Sequence, residues 1–320
     1  MVDTSPAILL MFVAAAVYLA AGILLARSLY KRLLCASTVG NDRSARLTVW
    51  LSRCVMGLAA AGLLCMLYAR LIEPFWLQVE HVRISTPKLQ PGSRAVRLVV
   101  IGDTHCDPQE RAESRIANCI KDIKPDAILF AGDAINSEGG LQNFRKLMQR
   151  LAAIAPTFAV YGNWETWWFP QLDLYGGTGV KALRGGIADL TPQVSIGGAG
   201  VDRPGQCRLI ASKLAERKFR IVLHHFPEVG AELLETGRAD LAIGGDTHGG
   251  QVRLPLVGPM VRISRAGRYY DIGLHRIGNG WLYVNRGIGM EGGNVPRVRF
   301  NCRPEVTVIE IVPAGTPTDG

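Results

Sequence analysis

The sequence predicts an α/β domain, built on a mixed sheet or on two packed sheets flanked by helices, behind an N-terminal hairpin of two membrane-spanning helices. Three observations predict it. Two apolar runs long enough to cross a bilayer open the chain, strand and helix candidates alternate from Leu98 onward, and after Gln251 the pattern changes to short alternating runs separated by Gly and Pro. At 320 residues, 20% of them charged, the chain can bury a sizeable core.

The first apolar run, residues 7–26, holds no charge and is long enough for a hydrocarbon layer of ~30 Å at ~1.5 Å per residue. Only Asp3 precedes it, so it lacks the basic start of a cleaved signal peptide. The second run, 47–69, is interrupted only by Arg53, near one end, where a long side chain snorkels to the interface. Between the runs lie Arg27, Lys31, Arg32, Arg43 and Arg46 against a single acid, Asp42. By the positive-inside rule this loop is cytoplasmic, its charges meet anionic lipid, and everything after Ile72 lies outside. Residues 1–72 are therefore read as the anchor and 73–96 as a juxtamembrane connector with an edge strand at Val79 to Ile84. Residues 97–313 form the catalytic domain, and 314–320 a disordered tail.

The formal charge of +9 is concentrated in the anchor: seven basic and two acidic residues precede Glu73, leaving 29 against 25 in the rest. With no basic run interleaved with aromatics, a nucleic-acid surface is excluded. The seven cysteines are scattered without CxxC spacing, which excludes a disulfide framework or a thiolate zinc site.

In the domain, strands are expected at 98–101, 127–130, 157–161, 220–223 and 241–243, and helices at 110–123, 141–153, 207–216 and 228–235. Later runs at 280–284 and 305–311 read as antiparallel strands. The residues just beyond each early strand carry chemistry. Asp103 and His105 come after the first, Gly132-Asp133 after the second, Gly162-Asn163-Trp164-Glu165 after the third, His224-His225 after the fourth, and Asp246 and His248 after the fifth. In open α/β sheets the ligand crevice lies beyond these carboxyl ends, and a neighbouring Gly lets the backbone approach closely. Oxygen and imidazole donors without thiolates favour divalent Mn, Fe or Zn, with Mg as a further option. At least seven candidates suggest two ions, which ~3.5–4 Å apart clamp the attacking and leaving oxygens of an in-line displacement at phosphorus.

In this order, Asp103-Thr-His105, Gly132-Asp133, Gly162-Asn163, His225-Phe-Pro-Glu228 and Thr247-His248-Gly-Gly-Gln251 resemble the motifs of the calcineurin-like metallophosphoesterases, over about residues 97–312. The likeness is greatest to a membrane-attached bacterial branch, for which Gly-Gly-Gln251 and Tyr283-Val-Asn-Arg-Gly-Ile-Gly289 are typical. The resemblance implies a four-layer α/β/β/α sandwich with a two-metal site. It also implies that Asp103, His105 and His248 hold the first ion, that Asn163, His225 and Asp246 hold the second, and that Asp133 bridges them. His225, followed by Phe-Pro-Glu, fits the family pattern, so His224 is a neighbour of the site.

Two positions depart from the family. Where relatives carry a His that contacts the phosphate and protonates the leaving oxygen, this chain has Trp164, whose single N–H delivers no proton. Where relatives carry His, Asp246 offers a carboxylate, which makes the second site more negative and favours harder ions. The missing imidazole leaves three options: a leaving group needing no acid, a proton from His224 or water, or lost activity. Trp164, Trp167, Trp168 and Phe169 are either a packed loop or an apolar wall for an acyl or prenyl chain. Arg286, between glycines, is either a phosphate contact or a structural cation. Cys106 is a wall residue beside the site.

Together these observations predict an integral membrane phosphoesterase in which a metal-activated hydroxide attacks a phosphomonoester, phosphodiester or pyrophosphate. Its substrate is expected to be a phosphorylated lipid or another envelope phosphate, met on the extracytoplasmic side. Two alternatives remain: hydrolysis of the UDP-2,3-diacylglucosamine pyrophosphate on the cytoplasmic face, which conflicts with the loop charges, and an inactive phospholipid-binding module.

Overall fold

A computed structural model of the chain describes residues 16–25, 27, 43–260, 269–291 and 297–316. A short apolar helix, Ala16–Leu25, precedes the 29-residue α1 (Arg43–Leu71). The Tyr18 hydroxyl of the first donates to the Ala59 carbonyl of the second at 3.1 Å. The remainder of the first apolar run and most of the basic loop lie outside the described residues. Among the described residues a single helical stretch, Arg53–Phe75, is long and apolar enough to cross a membrane, and only 6% of its most apolar 18 residues are buried by protein.

The strands, in chain order, are β1 (Gln78–Thr86), β2 (Val96–Ile101), β3 (Ala127–Phe130), β4 (Thr157–Ala159), β5 (Lys181–Ala182), β6 (Gly186–Thr191) and β7 (Val194–Gly198). Then come β8 (Phe219–Leu223), β9 (Leu241–Gly244), β10 (Arg253–Leu254), β11 (Gly258–Pro259), β12 (Gly273–Ile277), β13 (Gly280–Val284) and β14 (Glu305–Pro313). Helices α2 (Glu113–Ile123), α3 (Leu141–Ala152), α4 (Asn163–Trp168), α5 (Pro204–Lys213) and α6 (Pro227–Glu235) intervene. One six-stranded sheet has the order β1-β14-β2-β3-β4-β5, the other β12-β13-β9-β8-β7-β6, and β10 and β11 form a separate hairpin.

Period-two alternation explains how the layers stack. Leu98 and Val100 of β2, Leu129 of β3 and Ile309 of β14 face inward against Ile196, Ile221, Leu223, Leu241 and Ile243 of the other sheet. Their neighbours Val99, Ile101, Ile128, Phe130 and Val308 face outward onto α2 and α3. On the far side, Val222, Ala242, Leu282 and Val284 meet α5 and α6. The result is the four-layer α/β/β/α sandwich. In α3, Phe144, Leu147, Met148 and Leu151 recur at helical spacing and are fully buried, so Phe144→Ala would cost about 3–5 kcal/mol.

Some expectations need correction. Within segment 73–96 the expected edge strand is longer than residues 79–84: β1 pairs in parallel along its whole length with β14 and forms the edge of the first sheet. The late strands are not purely antiparallel: β13 runs parallel to β9 and antiparallel to β12, while β14 is antiparallel to β2. The tail at 317–320 lies outside the described residues.

Candidate metal centre

The two sheets bring five strand ends together. Asp103 and His105 follow β2, Asp133 follows β3, Asn163 opens α4 after β4, His225 follows β8, and Asp246 and His248 follow β9. Since β2, β3 and β4 are neighbours in one sheet and β8 and β9 in the other, all seven residues reach one crevice beyond the strands. Six are buried and Asn163 is half-buried.

The backbone here is forced. Nine described non-glycine residues have left-handed φ, and five of them are Asp103 (47°), His105 (41°), Asp133 (57°), Asp246 (67°) and His248 (49°). Asp and His tolerate this region better than most residues, yet strain clustered at one place marks a functional site. Close packing sustains it. At Gly287, with φ 73°, an added Cβ would lie 2.6 Å from the Cβ of Asp103. Gly162 leaves no room for a Cβ against the carboxylate of Asp133.

The donor atoms converge in two groups. Asp103, His105, Asp133 and His248 each offer one atom, all within 4.8 Å of one another. His105 Nε2 lies 3.1 Å from His248 Nε2 and 3.4 Å from Asp133 Oδ2. In the other group His225 Nε2 lies 2.7 Å from Asn163 Oδ1, 3.4 Å from Asp133 Oδ1 and 3.5 Å from Asp246 Oδ1. Asp133 thus turns one oxygen to each group, and the Trp164 backbone N–H fixes Oδ1 at 3.0 Å.

This chemistry fits divalent cations. Asp103 Oδ2 is buried without a hydrogen-bond partner. His225 Nδ1 sits 2.8 Å from the Ala131 carbonyl, so both ring nitrogens face oxygen acceptors. With Nδ1–H donating to Ala131, the ring is fixed so that Nε2 is the ligand atom facing Asn163, Asp133 and Asp246. Burial opposes charge on His225, but Asp133, Asp246 and Asp103 outweigh it and raise its pKa well above the ordinary value. Burial also raises the Asp103 carboxyl, with Asp133 adding to the effect and His225 opposing it. Burial opposes ionisation of Asp133 as well, but His225 and His105 hold it below the ordinary range. Carboxylates crowded in this way are relieved by cations.

The remaining candidates separate. Trp164 stands at the centre, its indole edge-on to His105 with ring centroids 5.1 Å apart. Beside it Trp167 and Trp168 are 61% and 64% exposed. His224 does not join the cluster: its Nδ1 accepts the Phe226 N–H at 3.0 Å, and burial pushes its pKa down to about 4, aided by His225. The lowered pKa opposes an imidazolium at His224, whose Nε2 is buried without a hydrogen-bond partner. Arg286 is also corrected. Its guanidinium lies 2.7 Å from Glu80 and 2.6 Å from Glu305 and is nearly buried, so it binds β1 to β14 and is not presented to a phosphate.

Two residues, Arg299 and Glu291, were not foreseen, and a third, Glu165, was named without a role. Arg299 is fully buried and donates to the carbonyls of Arg286, Gly287, Gly289 and Cys302, shaping the loop whose Gly289 N–H bonds the Asp103 carbonyl at 2.7 Å. Glu165 is buried beside Asp133, and burial, with Asp133 adding, pushes its carboxyl up to about 7. Its place directly after Gly-Asn-Trp was an available signal. Burial pushes Glu291 up to about 7 too, and it feels the charges of His105, Asp133 and Asp246. Nothing in the sequence around Arg299 or Glu291 marks them.

A sandwich that gathers buried carboxylates and imidazoles at adjoining strand ends is a metallohydrolase scaffold, here a metal-dependent phosphoester hydrolase. Residues 96–250 match the family model described as calcineurin-like phosphoesterase. The phosphodiesterase YaeI of Escherichia coli is 32% identical over 259 residues, covering 77% of this chain and 92% of that protein. The uncharacterized metallophosphoesterase YkuE of Bacillus subtilis is 28% identical over 259 residues, covering 76% and 88%. A transmembrane protein with a metallophosphoesterase domain from Danio rerio is 26% identical over 261 residues, 72% of this chain and 56% of that protein. The chain belongs to the calcineurin-like phosphoesterase family.

Proposed function

We propose that this protein is a membrane-anchored phosphodiesterase with a centre for two divalent ions, acting on a phosphorylated lipid or related envelope phosphate. The observation that carries the two-ion reading is Asp133, which faces His105 with Oδ2 and His225 with Oδ1. Asp103, His105 and His248 complete one site, and Asn163, His225 and Asp246 the other. Divalent ions there would act as Lewis acids on a phosphoryl oxygen and make water acidic enough to serve as nucleophile near neutral pH.

The chain's own residues then set the limits of the chemistry. The Ala131 carbonyl orients His225, and the Trp164 N–H orients Asp133. No imidazole stands where Trp164 does, and His224 Nδ1 is taken up by the Phe226 backbone N–H. The site therefore favours leaving groups that depart without a proton, such as aryl oxides, phosphates or nucleotides. The name of the Escherichia coli relative supports the diester class. For the lipid reading, the support is α1 with its exposed apolar surface, together with Trp167 and Trp168 beside the crevice. The basic loop favours an extracytoplasmic domain.

The test is turnover, with Mn²⁺, of an aryl phosphodiester and of a panel of phospholipids and UDP-linked lipids. Wild type is expected to hydrolyse the aryl diester and at least one lipid, and Asp133→Asn neither. Wild type that binds ions but turns over nothing in the panel would make it a binding module. Hydrolysis of the aryl diester alone would remove the lipid reading.

A further inference from the structure

We infer that the β10–β11 hairpin is a membrane-contacting element whose tip, Leu256 and Val257, enters the interfacial layer of a lipid bilayer beside the end of α1. This rests on α1 spanning a membrane, as proposed above.

The tip is poorly suited to water. Leu256 is completely exposed and Val257 is 69% exposed, between Pro255 and Gly258. Leu256 also has φ 65°, and it is the one aliphatic residue among the nine described non-glycine residues with left-handed φ. A turn position of this kind is normally filled by Gly, Asn or Asp. The side chain gains nothing from the fold there, since it contacts no core and strains its own backbone.

The base of the hairpin shows where the tip sits. Arg253 N–H donates to the Phe300 carbonyl at 2.8 Å, and Phe300 N–H to Gln251 at 2.9 Å. The Phe300 ring lies edge-on to Tyr68 of α1, centroids 6.2 Å apart, and Arg299 N–H donates to the Ala69 carbonyl at 3.0 Å. Arg70 donates to the Arg297 carbonyl at 2.9 Å, and the buried Glu73 carboxylate accepts the Asn301 N–H at 2.8 Å. Segment 297–302 thus clamps the hairpin to the last turn of α1. The apolar face of α1 is largely exposed up to Leu67, and in the last turn the domain covers Ala69 while Leu71 and Ile72 beside it stay exposed. The base of the hairpin is therefore tied to the end of α1, next to the exposed apolar residues Leu71 and Ile72.

A bilayer is the occupant these features favour. Two aliphatic side chains on a turn are far too small for a stable protein interface, which needs about 1,000 Å², whereas interfacial insertion needs only a small apolar tip. Because the hairpin starts five residues after His248, anchoring it would hold the metal centre close to the membrane surface.

The test uses the full chain in phospholipid nanodiscs. Cys35, Cys54, Cys65 and Cys119 are replaced by Ser, and an environment-sensitive maleimide dye is placed at Leu256→Cys. A reference variant keeps Cys65, on the exposed face of α1, and labels it instead. The inference predicts blue-shifted emission at position 256, quenched by doxyl-labelled lipid and not by aqueous iodide. If the Cys65 dye is quenched by lipid and the dye at 256 by iodide, the hairpin proposal is wrong while the spanning helix stands. If lipid does not quench the Cys65 dye, the membrane reading fails and takes the hairpin with it. A dye at 256 shielded from both quenchers would mean a protein contact and would also overturn the proposal.

Discussion

On the proposed reading, Trp164 limits which phosphoesters this centre cleaves. It occupies the edge of the first donor group, against His105, and offers only its N–H. Trp164→His should therefore accelerate an alkyl phosphodiester relative to an aryl one, by up to the ~10²-fold at the lower end of general-acid contributions. An equal change with both leaving groups would show that the position does not govern proton delivery. Asp133 carries the opposite expectation. Because it faces both groups, Asp133→Asn should lower turnover and bound metal together, by more than the roughly 10–100-fold typical of losing an outer-shell partner. Metal analysis alongside kinetics checks this.

The elements are held by a few buried polar ties, and these give stability predictions. Arg286 pairs with Glu305 on β14 in a buried setting, so Arg286→Met would strand a carboxylate and cost about 3–5 kcal/mol in urea unfolding. With Arg286 tying strands together, the KM of the folded fraction should stay unchanged; a raised KM would return it to substrate binding. Asp240, before β9, bonds Arg220 of β8 and Lys88 after β1. Burial opposes its ionisation, but the Arg220 and Lys88 hydrogen bonds outweigh it and hold its carboxyl below the usual range. A depressed pKa contributes stability that is present above the unfolded value of about 4 and lost as pH falls through the lower native value. Asp240→Asn should flatten that acid limb in pH-dependent unfolding. Such ties were invisible in the sequence, where Glu80 lies 206 residues from Arg286 and a Gly-flanked arginine reads as a phosphate contact. Strands β2, β3 and β9 were legible because both faces are buried, leaving continuous apolar runs. The half-polar β1 was legible only in part, as an edge strand at Val79 to Ile84, and β6 and β7, with Gly, Asp and Ser among their residues, gave no usable period. The ligands were legible for a different reason: each follows a strand end, where topology places chemistry irrespective of the fold around it.

At the scale of the whole molecule, the two sheets each contribute only part of the centre, and their shared core of Leu98, Leu129, Ile221 and Ile243 aligns the strand ends. The centre therefore depends on sandwich packing as much as on its candidate ligands, and α1 is clamped to that sandwich through segment 297–302. The central claim is that this joint builds one bridged centre for two ions. The most direct measurement is the metal content per chain of full-length protein after Mn²⁺ loading and removal of free ion, compared between wild type and Asp133→Asn. Wild type should retain about two ions per chain, and Asp133→Asn markedly fewer. Retention of one ion or none by wild type, or equal retention by both proteins, would contradict the account.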